Sequence, residues 1–456
     1  MAKMPTYVST TNACKLCKPL GASIAFKGIE GCVPFLHGSQ GCATYMRRYI
    51  ISHYNEPIDI ASSSLGEKHA VYGGGPNLKL GLNNVTAKYG PRLVGLATTC
   101  LTETIGDDVK MLLNEYQKEF GEEDSPKVVS VSTPSYSGTH MEGFHAAVQA
   151  VVEQLTEAVE PNETINLLSG FISTADIRYL KGVCNDFQLS PTILPDYSET
   201  LDGPALNDYP LIPEGGTPIE SIIKMGGAQA TIEFGSTLGE KSAGTFLEKT
   251  YSVTLHRCSL PIGISATDQL MDLLQSLSGK AIPEEYRSAR GRLIDALVDG
   301  HKYVFGKRAV VFGEEDLVVG LAAFLTEIGI KPVLCASGGK STRFKRAIEN
   351  ALEGSGFELP EVREDVDFYD IEDLAEELEV DLLIGHSKAY TFSRRKGIPL
   401  IRVGFPIHDR VGGQRILHLG YHGAQMMFDT ITNTIIERKQ NLSEAVSYTH
   451  LRAHET

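Results

Sequence analysis

Short apolar runs recur along this chain, and each gives way to a stretch in which apolar residues return every three or four positions. Leu93–Ala97, Lys127–Val131, Ile165–Leu168, Thr192–Leu194, Ala309–Phe312, Pro332–Leu334, Asp381–Ile384 and Pro399–Val403 are such runs. Their shortness and apolarity predict strands covered on both faces, as in parallel sheets. Intervening segments such as Gly143–Leu155 and Arg287–Val304 read as amphipathic helices. Alternation of this kind predicts an α/β fold of doubly wound, Rossmann-like parallel sheets. At 456 residues the chain is too long for one core and predicts three domains. Residues 1–161 form an N-terminal α/β domain holding most of the cysteines, 162–281 a middle domain and 282–440 a C-terminal one. The boundaries fall at Pro161-Asn162 and between Gly279 and Pro283. The acidic stretch Glu358–Glu379 reads as a solvated loop and helix surface.

Composition narrows the class. A formal net charge of −15 argues against nucleic acid or an anionic membrane surface as a partner. No apolar run is long enough to span a bilayer, and the first residues lack the basic-then-apolar pattern of a secretory signal. A cytoplasmic location is expected, where thiols serve as ligands or core residues more often than as disulfides. The last eleven residues, 446–456 (VSYTHLRAHET), match one reading frame of a transposon-type sequencing adaptor and read as a non-native tail.

The candidate chemistry lies in the cysteines, five of which fall in the first hundred residues. Cys17 opens Cys17-Lys18-Pro19-Leu20-Gly21, Cys42 closes His37-Gly38-Ser39-Gln40-Gly41-Cys42, and Cys100 ends Ala97-Thr98-Thr99-Cys100. Thiolates on tight, amide-rich turns suit an iron–sulfur cluster, because sulfur is a soft ligand and nearby N–H groups offset the cluster's negative charge. A [4Fe–4S] cluster takes four thiolates. The fourth comes from Cys14, from Cys32 or from another chain, and a cluster shared across a subunit interface fits the count. Cys14-Lys15-Leu16-Cys17 is a CxxC with no second pair to complete a zinc site. Gly73-Gly74-Gly75-Pro76-Asn77 lacks the Lys-Ser/Thr ending of a phosphate-binding loop and reads as a structural turn. Glu103, Asp107 and Asp108 supply negative charge to a helix start. The hydroxyls of Thr133-Pro134-Ser135-Tyr136-Ser137-Gly138 are placed to cap the next helix or to approach a cluster.

These stretches resemble the nitrogenase component 1 family of iron–sulfur oxidoreductases. The resemblance rests on CKPLGA at Cys17, EGCVPFLHGSQGCATYMRRY from Glu30, ATTCLTETIGDD from Ala97 and TPSYSG from Thr133. It extends through Ser288–His301, Gly385-His386-Ser387 and Pro399–Pro406, to about Lys439. It implies three Rossmann-like domains per subunit, with clusters between subunits and domains, and it points to the β-type subunits. Within that group the chain looks most like the scaffold subunits on which the iron–molybdenum cofactor is matured. Only sixteen residues precede Cys17, fewer than in catalytic β subunits. Ser198–Gly203 and Met225-Gly226-Gly227-Ala228 are also scaffold-like.

The resemblance implies that Cys42 contributes to a [4Fe–4S] or larger cluster at the interface with an α-type scaffold subunit (NifE-like) in a heterotetramer. The partner would hold the iron–molybdenum cofactor precursor, and a reducing iron protein (NifH-like) would dock on the assembly. Cys17, Cys100 and Ser135 match further cluster-site positions of catalytic β subunits. That match makes a catalytic β subunit of a molybdenum nitrogenase, or of a nitrogenase-like reductase, the alternative expectation. Tyr72 matches an aromatic position near the interface, and ordinary packing explains it equally well.

Overall fold

The computed structural model describes residues 14–121 and 126–442, so the tail 446–456 lies outside it. Among the described residues, thirteen strands form three sheets, every pairing parallel. The first contains β1 (Cys32–His37), β2 (Ala61–Ser62), β3 (Leu93–Thr98) and β4 (Lys127–Val131), in the order β2-β1-β3-β4. The second contains β5 (Thr164–Leu168), β6 (Ser190–Leu194), β7 (Ala230–Phe234) and β8 (Thr254–Cys258), in the order β6-β5-β7-β8. The third contains β9 (Arg308–Phe312), β10 (Lys331–Ala336), β11 (Glu361–Arg363), β12 (Leu382–Gly385) and β13 (Leu400–Arg402), in the order β11-β10-β9-β12-β13. The α/β expectation is met, and all eight apolar runs lie in or overlap strands.

Register places the chemistry. Cys32 lies opposite Leu93 and His37 opposite Thr98, so β1 and β3 end level with each other. Val131 of β4 lies opposite Ala97. The turns that follow β1, β3 and β4 therefore leave one edge of one sheet side by side, where ligands of such sheets collect. Those turns carry Cys42, Cys100 and Ser135.

Cys17 reaches the same edge by another route. It is the N-cap of the helix Lys18–Lys27, with Pro19 in the first turn, where a missing N–H costs nothing. Nearly the whole helix is buried, which is why its sequence shows no amphipathic stripe. It crosses the helix His140–Leu155 at very close range. A Cβ on Gly21 would stand 1.6 Å from the carbonyl oxygen of His140, and one on Gly143 1.9 Å from that of Lys18. Each glycine thus receives the backbone of the other helix, and no other residue fits. The far end of Lys18–Lys27 is tied to the middle sheet, where Asp196 and Thr217 donate N–H bonds to Gly28 O (3.0 and 2.8 Å).

The third sheet docks through buried polar contacts. His140 Nε2 meets Glu314 Oε1 (3.2 Å), His53 Nδ1 accepts the Ile407 N–H (2.9 Å), and Asp176 binds His418 through both its ring (2.8 Å) and its N–H (2.7 Å). Burial lowers His53 and His386 to about 4, against a smaller opposing pull from Glu314. For Glu314 itself burial pushes upward, but the contacts with His140 outweigh it and leave the carboxyl below its usual value.

Five strands, β1, β2, β7, β8 and β11, lie outside the apolar runs, and two of them show why. The acidic stretch Glu358–Glu379 contains the edge strand β11 as well as the helix Phe368–Glu377, because Val362 packs on the core while its neighbours face water. β7 carries a charge in its middle, Glu233, which is buried yet satisfied by Ser242, the Gly244 N–H and Arg257. A strand interrupted by a carboxylate does not read as an apolar run.

Two measurements test this account. Gly143→Ala forces the helix crossing apart and should cost at least the roughly 1–3 kcal/mol of an overpacked core. Gly182→Ala, on an exposed helix position with nothing within 4 Å, should be neutral or stabilising by up to about 1 kcal/mol; equal melting temperatures would refute the crossing. Acid should also weaken the fold. The unfolded chain protonates its histidines near 6.5, whereas His53 and His386 resist to about 4. Their contribution is therefore intact above pH 6.5 and declines as pH falls toward 4, by up to about 1.4 kcal/mol per pH unit for each. A melting temperature flat from pH 6.5 to 4.5 would contradict it.

Candidate cluster site

Each of the three cysteines on the sheet edge starts a helix. Cys17 caps Lys18–Lys27. Cys42 lies in the first turn of Gln40–Tyr54, whose cap Ser39 accepts the Gly41 N–H (3.2 Å). Cys100 opens the short helix Cys100–Ile105 behind a Thr99–Thr102 capping box. Free N–H groups and the positive ends of helix dipoles therefore gather where anionic sulfur would sit. The turns can approach because Gly38 has no side chain; a Cβ there would stand 2.1 Å from the Thr99 hydroxyl.

The structure brings Cys17, Cys42 and Cys100 together. Burial, and then the neighbouring Cys17 and Cys100 sulfurs, push the Cys42 thiol above its ordinary value. Ser135 joins two of the turns. Its N–H donates to Cys100 Sγ (3.2 Å), and its hydroxyl accepts the N–H of Lys18, next to Cys17 (3.3 Å). A backbone bridge pairs Cys17 with Thr139. Cys17 is exposed, while Cys42 and Cys100 are half-buried, so the group opens outward.

The other two candidate ligands point elsewhere. Cys14 is buried against the third sheet among Val310, Phe312 and Leu334, and burial drives its thiol far up. Cys32 lies inside β1 with its thiol pushed up to about 12 by burial. Cys184 and Cys335 are buried, and Cys258 ends β8, away from this edge. Three thiols are thus what this chain offers the site.

Polar residues brace the turns, and most were not evident from sequence. His37 is buried between Ser63 Oγ (2.9 Å) and Asp107 Oδ2 (3.0 Å), and Asp107 also accepts the Gly74 N–H (3.1 Å). Ser63 Oγ accepts the Gly38 N–H (2.9 Å). Gly73–Gly75 is therefore a structural turn, as the missing phosphate-loop ending implied, and it serves to clamp Asp107. Of the three acidic residues assigned to a helix start, Asp108 is a true cap, accepting from Met111 N–H (3.0 Å). Glu103 lies in the first turn of its helix and receives the hydroxyls of Thr98 and Ser132. The HGSQGC motif displayed His37, but nothing in the sequence showed that its partner lies seventy residues away.

The donor set suits a cluster better than a single ion. Among the described residues no three His, Cys, Asp or Glu side chains close around one point. In a [4Fe–4S] cluster each thiolate binds a different iron, and amide N–H groups aimed at sulfur tune it. Such a group, when bound, supplies electron transfer. Cys17, Cys42 and Cys100 would hold it, with Ser135 alongside. Several large apolar side chains of the same unit are open to solvent: Tyr72 is 83% exposed, and Val71, Tyr45 and Tyr136 also face solvent. Packing among the described residues therefore does not account for Tyr72.

Comparison with known proteins agrees over nearly the whole length. The family described as nitrogenase component 1 type oxidoreductase matches residues 17–436. The nitrogenase molybdenum-iron protein beta chain of Clostridium pasteurianum is 36% identical over 428 residues, covering 94% of this chain and 93% of that one. The vanadium-iron protein beta chain of Trichormus variabilis is 36% identical over 430 residues, covering 92% of each. A solved chain titled nitrogenase Cp1 at pH 6.5 superposes with a TM-score of 0.93 at 34% identity, covering 97% of both chains.

Replacing a ligand and replacing a packed thiol should differ. Cys42→Ala, in the complex with an α-type partner, should weaken iron binding by more than the roughly tenfold that outer-shell losses cost. Cys335→Ala should leave iron content unchanged and cost only the stability of a small void. Equal iron content in the two variants would remove Cys42 from the site.

Proposed function

The chain belongs to the nitrogenase component 1 type oxidoreductases, and from that membership we propose that it is a β-type subunit sharing an iron–sulfur cluster with an α-type partner. The observation that carries this reading is the meeting of Cys17, Cys42 and Cys100 at an outward-facing edge that offers three thiolates where a cluster needs at least four. The missing ligands come from the partner across the interface. The exposed Tyr72 and Val71 mark the face that an assembled complex covers. A reducing iron protein docks on the same assembly and delivers electrons to the shared cluster.

Within the family we assign the chain to the scaffold branch (NifN-like), paired with a NifE-like α-type subunit in a heterotetramer. The iron–molybdenum cofactor precursor is held in the partner while it is completed and released. The scaffold-like runs Ser198–Gly203 and Met225–Ala228 support this assignment. The second reading is the catalytic β chain. It is favoured by Ser135 standing beside a complete trio of cysteines, and by relatives that carry the names of molybdenum-iron and vanadium-iron beta chains. Fold cannot separate the two, because both tasks use one architecture.

Activity separates them. The anaerobically purified complex, supplied with the iron protein, should transfer a matured cofactor into a cofactor-free nitrogenase and form little ammonia from dinitrogen. Sustained ammonia formation by the complex itself would instead make this chain a catalytic β subunit.

A further inference from the structure

A second site lies where the three structural units meet. β5, β6 and β7 end at Leu168, Leu194 and Phe234, and all three residues line a cleft of about 550 Å³. This volume is that of a small-molecule site, which runs roughly from 300 to 1,000 Å³. Its position is also the one at which open parallel sheets bind ligands, beyond the carboxyl ends of their strands. The first unit closes one side with Ser135–Gly138 and the helix His140–Leu155, and the third closes another with the loop Gly338–Arg343. Phe144 and the three strand ends back the cleft but are buried, and Tyr136 and Leu238 supply apolar surface open to it.

The rim is cationic, on a chain whose formal net charge is −15. Lys15, Lys241, Lys340 and Arg343 all border the cleft. Lys15 and Lys340 share a single carboxylate, Asp365 (2.5 and 3.3 Å). Lys241 and Arg343 stand in no ion pair among the described residues; the Arg343 guanidinium lies against Gly239 of the middle unit and donates to the Ser341 carbonyl (3.4 Å). The acidic residues of the lining are already committed. Glu233 takes Arg257, Ser242 and the Gly244 N–H, and Glu142 caps its own helix through Thr139. Ser242 also opens the helix Ala243–Tyr251, whose first turn lines the cleft.

We propose that this cleft binds a small anionic molecule with an apolar body, its carboxylate or phosphate held by Lys241 and Arg343 and its body lying against Tyr136 and Leu238. An uncompensated guanidinium and ammonium beside open apolar side chains match that chemistry. Arg343 belongs to the third unit and Lys241 to the second, so the anion bridges them across the cleft. The inference does not rest on the cluster reading, because it uses none of the cysteines.

Titration of the anaerobic heteromeric complex tests it with three probes: inorganic phosphate, citrate and adenosine monophosphate. At least one should bind saturably, one equivalent per copy of this chain, and raise the melting temperature. Adenosine monophosphate outdoing phosphate would show the apolar contribution of Tyr136 and Leu238, and citrate outdoing both would identify carboxylate as the preferred anion. Lys241→Ala combined with Arg343→Ala should weaken that binding at least tenfold, Arg343→Lys less so. Arg346→Ala, exposed on the next helix and outside the lining, should leave it unchanged. Iron content and melting temperature without probe serve as the check that each variant is assembled. No saturable binding of any probe, or binding undiminished in the double variant, would overturn the proposal.

Discussion

Everything at the edge that carries Cys17, Cys42 and Cys100 depends on two helices touching backbone to backbone. Gly21 takes the His140 carbonyl and Gly143 takes the Lys18 carbonyl, each at a distance that excludes a side chain. That crossing is local, yet its effects are not. It sets the start of one helix, at Cys17, against the residues leading into the other, at Ser135–Thr139. Ser135 then reaches Lys18 with its hydroxyl and Cys100 with its N–H. A contact made by the absence of two side chains thus brings a residue near the start of the chain to a sheet edge formed more than a hundred positions later.

The remaining geometry follows from strand register. Because β1 and β3 end level and β4 lies beside them, their turns need no special device to meet, only a glycine at position 38 where they come closest. Buried polar pairs then bind the three units together: His140 with Glu314, His53 with the Ile407 backbone, Asp176 with His418. These contacts are directional, and each buried partner leaves an unmet donor or acceptor if the other is lost. They fix the relative placement of units that apolar surface alone would let slide.

The fold was legible because buried parallel strands announce themselves as short apolar runs. Where an expectation fell short, a charge or an exposed edge had disguised a strand, as Glu233 does in β7 and as the acidic surroundings of Val362 do in β11. The three thiol turns were legible for a similar reason, since glycine, serine and threonine around a cysteine restrict the backbone locally. What the sequence did not disclose was pairing at long range. Nothing near His37 names Asp107 as its partner, and nothing near Cys14 shows that it packs on the third sheet. Such facts are properties of topology, and they appear only once strand order is known.

The outward tilt of the three thiols constrains the history of the molecule as much as its chemistry. Cys17 is exposed, and its two neighbours are only half-covered by this chain. Until iron or a partner shields them, neighbouring sulfurs on an open face are substrates for peroxide and dioxygen, and oxidation beyond the sulfenic acid is not reversed by ordinary thiols. The order of events during biogenesis is therefore restricted. If these thiols hold a cluster as proposed, metal loading and subunit association would have to precede over-oxidation, because a chain carried past the sulfenic acid is lost to assembly.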